Sequence, residues 1–168
     1  RSILAVGGKR DSLGFKTTGA TKVISIDDVL GGGIGDNVVI LGSNAQAVDT
    51  ALYLMNQGKK VTLVTPSAKE EFEKGHSVNM KEFVEPTFYA NGARLFPNAT
   101  ITGVGDGFVS FTAESGVPYE YACDTVIEAL DMLPNTELSE GLDVQVICVG
   151  DCALPLNIAR SRSEERRV

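Results

Sequence analysis

The sequence predicts a three-layer α/β domain with a central parallel sheet and a small antiparallel β-meander packed on it. Three observations carry this expectation. Asn37 to Leu41 (NVVIL) and Lys60 to Val64 (KVTLV) are apolar on both faces, and the residues between them repeat with helical spacing. Further strand candidates follow at 93–96 and 124–130. Between 100 and 122 the texture switches to alternation. Continuous apolar runs suit strands covered on both faces, whereas alternation belongs to strands with one wet face.

Taken in order, Ser2 to Val6 reads as a strand entering the Gly7-Gly8 turn. Val23 to Ile26 is a second short strand, followed by a helical turn at Asp27 to Leu30 with Asp27 as its N-cap. Gly31, Gly32, Gly33 and Gly35 then break the chain before the 37–41 strand. Ala45 to Gln57 is a helix with Ala47, Val48, Ala51, Leu52, Leu54 and Met55 on its apolar face and Gly58 as its stop. With the strand at 60–64 it closes a strand–helix–strand unit, which is right-handed as a rule. Ser67 to Gly92 is expected to be helical, with Pro86 ending or kinking it for want of an amide hydrogen. Ala93 to Phe96 supplies another strand of the sheet. Phe108 to Thr112 and Tyr119 to Tyr121 alternate about the Glu114-Ser115-Gly116 turn. Asp124 to Leu130 and Gln145 to Val149 are the last strands, the latter ending at Gly150-Asp151, and a helix is expected to start near Asn157.

Composition narrows the functions. The chain has 168 residues, 43% of them hydrophobic, enough for a real core. No stretch approaches the roughly 18 to 20 apolar residues that span a bilayer, and no leader pattern opens it, so no membrane partner and a cytoplasmic location are expected. A formal charge of −7 and a tail in which Glu164 and Glu165 interrupt the arginines argue against nucleic acid. Cys123, Cys148 and Cys152 lack zinc-site spacing, and His76 is the only histidine, so neither a metal nor a disulfide framework is expected. Cys148 reads as a buried small hydrophobe rather than as half of a redox pair with Cys152.

The residues that carry chemistry follow the 37–41 strand. A glycine turn between a strand and a helix N-terminus offers backbone amides to a diphosphate, as in Rossmann-like domains. Here the row is Gly42-Ser43-Asn44-Ala45-Gln46-Ala47, so only the first of three glycines is present, with Ala47 as a small substitute for the third. Asn44 tolerates left-handed backbone angles, but its side chain fills space a diphosphate needs. Thr65 stands where an acid ordinarily binds the adenosine ribose, and Thr65, Ser67 and Lys69 could instead meet a 2′-phosphate; an exposed turn without ligand is the competing expectation.

The ordered motifs VISIDDVL (Val23 to Leu30), VVILGSNAQAVDTALYLMNQGKKVTLV (Val38 to Val64), DTVIEALDMLPNTEL (Asp124 to Leu138) and VICVGDCALPLNIA (Val146 to Ala159) resemble the two-dinucleotide-domain flavoproteins. Within that pyridine nucleotide-disulfide oxidoreductase-like class, the chain is similar to the C-terminal part of the 2,4-dienoyl-CoA reductase, NADH:flavin oxidoreductase and trimethylamine dehydrogenase family. The resemblance covers nearly the whole chain. It implies a crossover strand and linker from a flavin domain at 1–30, an NAD(P)-binding-like domain at 31–143, and a return strand into the flavin domain at 144–168. It further implies Gly42, Ser43, Asn44, Ala45 and Gln46 around the diphosphate, Thr65 at the ribose, and Ala129, Leu130 and Asp131 beside the nicotinamide. Gly150 and Asp151 would face the flavin. Asp131 stands where the family carries glycine, and its charge would repel the nucleotide. Glu128 is expected to be a paired structural acid.

Two functions follow. One is a nicotinamide-nucleotide-binding domain that passes hydride from NAD(P)H to FAD, and onward to FMN, with no catalytic side chain of its own because the cofactors carry the chemistry. The other is a degenerate structural or ADP-binding domain that no longer binds NAD(P)H. FAD and the FMN barrel would belong to the parent protein's other domains, and turnover by this chain alone is not expected.

Overall fold

A computed structural model describes residues 2–140 and 145–155. The chain runs through β1 (Ser2–Leu4), β2 (Lys9–Arg10), β3 (Lys22–Ser25), β4 (Asn37–Leu41), α1 (Ala45–Asn56), β5 (Lys60–Val64), α2 (Val78–Ala90) and β6 (Arg94–Phe96). It continues through β7 (Thr100–Gly105), β8 (Phe108–Thr112), β9 (Pro118–Ala122), β10 (Thr125–Glu128), β11 (Met132–Leu133) and β12 (Val146–Cys148). Two compact units result: Ser12–Leu130, and Arg1–Asp11 together with Asp131–Val168. Because β3 pairs with β10 inside the larger sheet, residues 22–25 belong to the larger unit. The helix expected from Asn157 lies outside the described residues.

The larger unit is the three-layer α/β fold. Its five-stranded sheet has the order β3-β10-β4-β5-β6, every neighbouring pair parallel. Residues 38–41, 61–64 and all of β10 are buried, as the uninterrupted apolar runs require. Successive side chains point to opposite faces, and this separates two cores. Val38, Ile40, Leu63 and Ile127 meet Ala47, Val48, Ala51 and Leu54 of α1 and Phe88 of α2. Val39, Leu41, Val64 and Val126 meet Val109 and Phe111 of the meander β7-β8-β9, with Phe96 packed between sheet and meander.

This strand order positions the site. From β4 the chain winds outward through β5 and β6, then returns to place β10 on the other side of β4. Neighbouring strands whose connections leave in opposite directions open a crevice at their carboxyl ends, and ligands of open α/β sheets bind there. Here the crevice lies beyond the ends of β4 and β10.

Several elements differ from expectation for local reasons. Ser25, not Asp27, caps the turn at Ile26–Gly31, its hydroxyl accepting the Asp27 amide at 3.3 Å. Helix α2 begins only at Val78, after a short 3₁₀ turn at Lys69–Glu71 and an irregular loop. Pro86 lies inside α2 and does not end it. The missing amide removes one helical bond, but α2 runs on to Ala90, with the Thr87 hydroxyl donating to the Phe83 carbonyl at 2.6 Å.

In the smaller unit β1 pairs in parallel with β12, Ser2 opposite Val146, and β2 pairs antiparallel with β11. Lys9 and Glu137 form an ion pair that holds the Glu137 carboxyl below its ordinary range. Among the described residues no helix is long and apolar enough to cross a membrane.

Candidate functional site

The turn after β4 is built around contacts that only glycine allows. Gly42 has φ 136°, and a Cβ there would lie 2.4 Å from the Ala129 carbonyl oxygen. Its amide donates to the Val64 carbonyl at 2.9 Å, while the Ala129 amide donates to the Leu41 carbonyl at 2.9 Å. The first position of the fingerprint therefore does more than turn the chain: it lets the ends of β4 and β10 close on one another.

Asn44 occupies the second glycine's position in extended conformation (φ −69°, ψ 173°), so the left-handed tolerance expected of it goes unused. It is the N-cap of α1. Its Oδ1 accepts the Ala47 amide at 3.0 Å, and its Nδ2 donates to the Ala129 carbonyl at 3.1 Å, spanning the crevice. Ala47 is fully buried against the sheet, as a close helix–strand contact demands.

A second segment covers the other side of the turn. The Glu73 amide donates to the Ser43 carbonyl at 2.8 Å, and the Ala45 amide donates to the Lys74 carbonyl at 3.0 Å. Gly75 packs so close that a Cβ on it would be 3.2 Å from Ala45 Cβ. Glu73 adopts φ 59°, a left-handed conformation that costs a non-glycine residue on the order of 1 kcal/mol. The first amides of a helix are the donors a diphosphate uses, and here that of Ala45 is already taken by main-chain oxygen. In this arrangement the Ala45 amide is engaged by the 73–76 segment rather than open to a ligand.

Thr65 is buried, and its hydroxyl accepts the Ser67 amide at 3.1 Å and lies 3.4 Å from the Ser43 hydroxyl. Ala129 is buried and Leu130 half-buried at the end of β10. Glu128 is also buried. Its carboxylate accepts the Ser12 hydroxyl at 2.5 Å and the Leu13 amide at 3.2 Å, which makes it a structural acid closing the 12–14 loop.

Sequence reasoning missed a polar cluster beside the turn. His76 Nδ1 lies 3.1 Å from Glu73 Oε2, and His76 Nε2 lies 3.2 Å from Asp49 Oδ1 on α1. The Glu73 side chain is 1% exposed and that of His76 5%, whereas Asp49 is 59% exposed; the other Glu73 oxygen, Oε1, and His76 Nε2 are both buried without a hydrogen-bond partner, the approach to Asp49 being a close charge contact only. Burial pushes the Glu73 carboxyl above its ordinary value, against the opposing hydrogen bond and charge of His76. Only the presence of a single histidine hinted at it; the three residues are joined by folding, not by a motif. Beside Asp49, an open groove of ≈ 370 Å³ runs between the Ile26–Gly31 turn and the Gln46, Asp49 and Tyr53 side of α1.

The remaining expected residues belong to the smaller unit. The Asp131 carbonyl accepts the Asp11 amide at 3.3 Å, and Gly150, at φ 63°, opens a 3₁₀ turn through Asp151 to Cys152. Cys148 is half-buried, whereas Cys152 is fully buried and its thiol donates to the Asn135 carbonyl at 2.9 Å. The sealed small hydrophobe expected at Cys148 is thus at Cys152, because the last turn, not the strand, faces the interior. No group of metal-ligating side chains occurs among the described residues.

Fold and turn together define a Rossmann-like dinucleotide-fold domain with a modified glycine fingerprint. The chain belongs to the pyridine nucleotide-disulphide oxidoreductase family, which it matches over residues 1–153. No curated protein matches the sequence. Among solved structures it is similar to 2-naphthoyl-CoA reductase in complex with 2-naphthoyl-CoA, at TM-score 0.79 and 22% identity, covering 95% of this chain and 25% of that one. It is also similar to 6-hydroxypseudooxynicotine amine oxidase from Pseudomonas geniculata N1, at TM-score 0.75 and 22% identity over 98% of this chain and 28% of that one. Histamine dehydrogenase from Rhizobium sp. 4-9 gives TM-score 0.75 and 20% identity over 98% of this chain and 29% of that one. These likenesses establish the fold, and the chain spans under a third of each structure's length.

Proposed function

We propose that this chain is the nicotinamide-nucleotide-binding region of a flavin-dependent NAD(P)H oxidoreductase, whose parent protein passes hydride from NAD(P)H to FAD and onward to FMN. The observation that carries this reading is the contact of Gly42 with Ala129 at the crevice between β4 and β10, with the N-terminus of α1 directly behind it. Gly42, Ser43, Asn44, Ala45 and Gln46 would approach the diphosphate, and Thr65 the adenosine ribose. Ala129, Leu130 and Asp131 would lie toward the nicotinamide, with Gly150 and Asp151 toward FAD. The parent's further domains would hold the flavins and take part in turnover in the cytoplasm, and the formal charge of −7 leaves nucleic acid no part in it.

A second reading, a degenerate structural or ADP-binding domain, is favoured by the Lys74 carbonyl on the Ala45 amide and by the Asn44 cap. Calorimetric titration of the chain with NADH, NADPH, ADP and FAD separates the two. Micromolar binding of a reduced nicotinamide supports the first; binding of ADP alone, or of nothing, supports the second.

A further inference from the structure

We infer that residues 73–76 are an autoinhibitory strap: their main chain occupies the turn that a diphosphate would enter, and a nucleotide binds by displacing them. The inference rests on the reading of that turn as a nucleotide site and adds how access to it is controlled.

The strap is held to the turn by main-chain bonds. The Lys74 carbonyl accepts the Ala45 amide at 3.0 Å, and the Glu73 amide donates to the Ser43 carbonyl at 2.8 Å. Gly75, at φ 113°, lets the strap lie so close that a Cβ on it would be 3.2 Å from Ala45 Cβ. A diphosphate takes up the same first-turn amides of α1, one of which Lys74 holds, so strap and diphosphate exclude one another.

Two features make the strap displaceable rather than permanent. It is costly where it lies: Glu73 takes a left-handed φ of 59°, and among the described residues neither its buried Oε1 nor the buried His76 Nε2 has a hydrogen-bond partner. Lifting the strap relaxes that backbone and returns both polar atoms to water, which offsets part of the loss of its two bonds to the turn. It is also short and anchored at both ends away from the turn. Before it, Phe72 is buried in the core with its ring 5.2 Å from that of Phe88; after it, Ser77 is the N-cap of α2. Residues 73–76 can therefore rise while the sheet and α2 stay packed.

The test follows amide exchange of the full chain by NMR, free and with NADH, NADPH or ADP, beside calorimetric titration of wild type and Gly75→Val. Valine is strained at φ 113° and its Cβ crowds Ala45, so this variant holds the strap off the turn. In the free chain the Ala45 and Glu73 amides should both be protected. Bound nucleotide should leave Ala45 protected, phosphate replacing its carbonyl partner, while Glu73 exchange quickens by about tenfold or more. Gly75→Val should bind the same nucleotide about tenfold more tightly, because the open turn no longer has to be populated first. A free chain with Glu73 unprotected, nucleotide bound with Glu73 still protected, or Gly75→Val with Glu73 released and no gain in affinity each overturns the strap and leaves the nucleotide reading standing. No binding of any of the three, even to a variant in which Glu73 is released, overturns both. Should Gly75→Val fail to fold, Gly75→Ala, with a smaller side chain at the same strained φ, takes its place.

Discussion

The turn after β4 is held from two sides, and the two sides are built differently. On one, β10 presents Ala129 to Gly42 and Asn44, and Glu128 just behind it has two donors from the 12–14 loop. On the other, residues 73–76 rest on Ser43 and Ala45 through main-chain bonds, over a buried glutamate with one oxygen unpartnered. Both glutamates are buried. One accepts a hydroxyl and a main-chain amide, one on each oxygen, whereas the other meets an imidazole on one oxygen and nothing on the second. A buried carboxylate with a donor on each oxygen recovers the cost of leaving water, whereas one with an unpartnered oxygen keeps part of that cost.

The comparison breaks most severely at the glycine. Gly42→Val should cost about 3 kcal/mol or more, because its Cβ cannot coexist with the Ala129 carbonyl at 2.4 Å and its φ of 136° is strained for valine. Urea unfolding would show it, and a loss below about 1 kcal/mol would mean that β4 and β10 can part without harm. Next comes Glu128→Ala, which leaves the Ser12 hydroxyl and Leu13 amide without their acceptor and should destabilise by about 2 kcal/mol at neutral pH.

Asn44→Ala removes both the α1 cap and the bond across to Ala129, for an expected loss of about 1 kcal/mol. Asn44→Gly should cost only a few tenths as a cap, and it makes room for a diphosphate. If the Asn44 side chain is what excludes nucleotide, Asn44→Gly combined with Asp131→Gly tightens NAD(H) or NADP(H) in a calorimetric titration; no gain would return the blame to the Lys74 carbonyl.

The smallest change is expected at Glu73. Glu73→Gln should unfold within about 1 kcal/mol of wild type near neutral pH, because a neutral amide replaces a carboxylate that lacked a full set of donors. Its signature is in the pH dependence: wild-type stability should fall as pH rises above 4.5 toward the raised Glu73 value, and the variant should lose that component. A variant that keeps the wild-type profile would mean Glu73 does not take up or release a proton on unfolding.

Much of the frame was legible because burial on both faces of a parallel sheet leaves mostly apolar residues at the buried positions of β4, β5 and β10, with Thr62, Thr125 and Glu128 as the exceptions. Helix α1 was equally plain from its spacing and its glycine stop. The site was half legible. Gly42 and Ala47 could be read from the strand–turn–helix context, but the role of Asn44 as cap and crevice bridge could not, since Ala129 is remote in sequence. Residues 67–77 were misread as helix because their apolar and polar residues mimic its period, while the bonds that hold 73–76 down are made to Ser43 and Ala45.

By itself, then, the sequence determined the element types, the parallel sheet with its meander, and the turn where a nucleotide would be sought. Local preference and hydrophobic period act over a few residues, and those features need no more. Tertiary structure alone decided that β10 lies beside β4, that 73–76 closes over the turn, and that Glu73, His76 and Asp49 meet. Each of these depends on contacts between residues far apart in the chain, whose pairing is set by how the whole sheet packs.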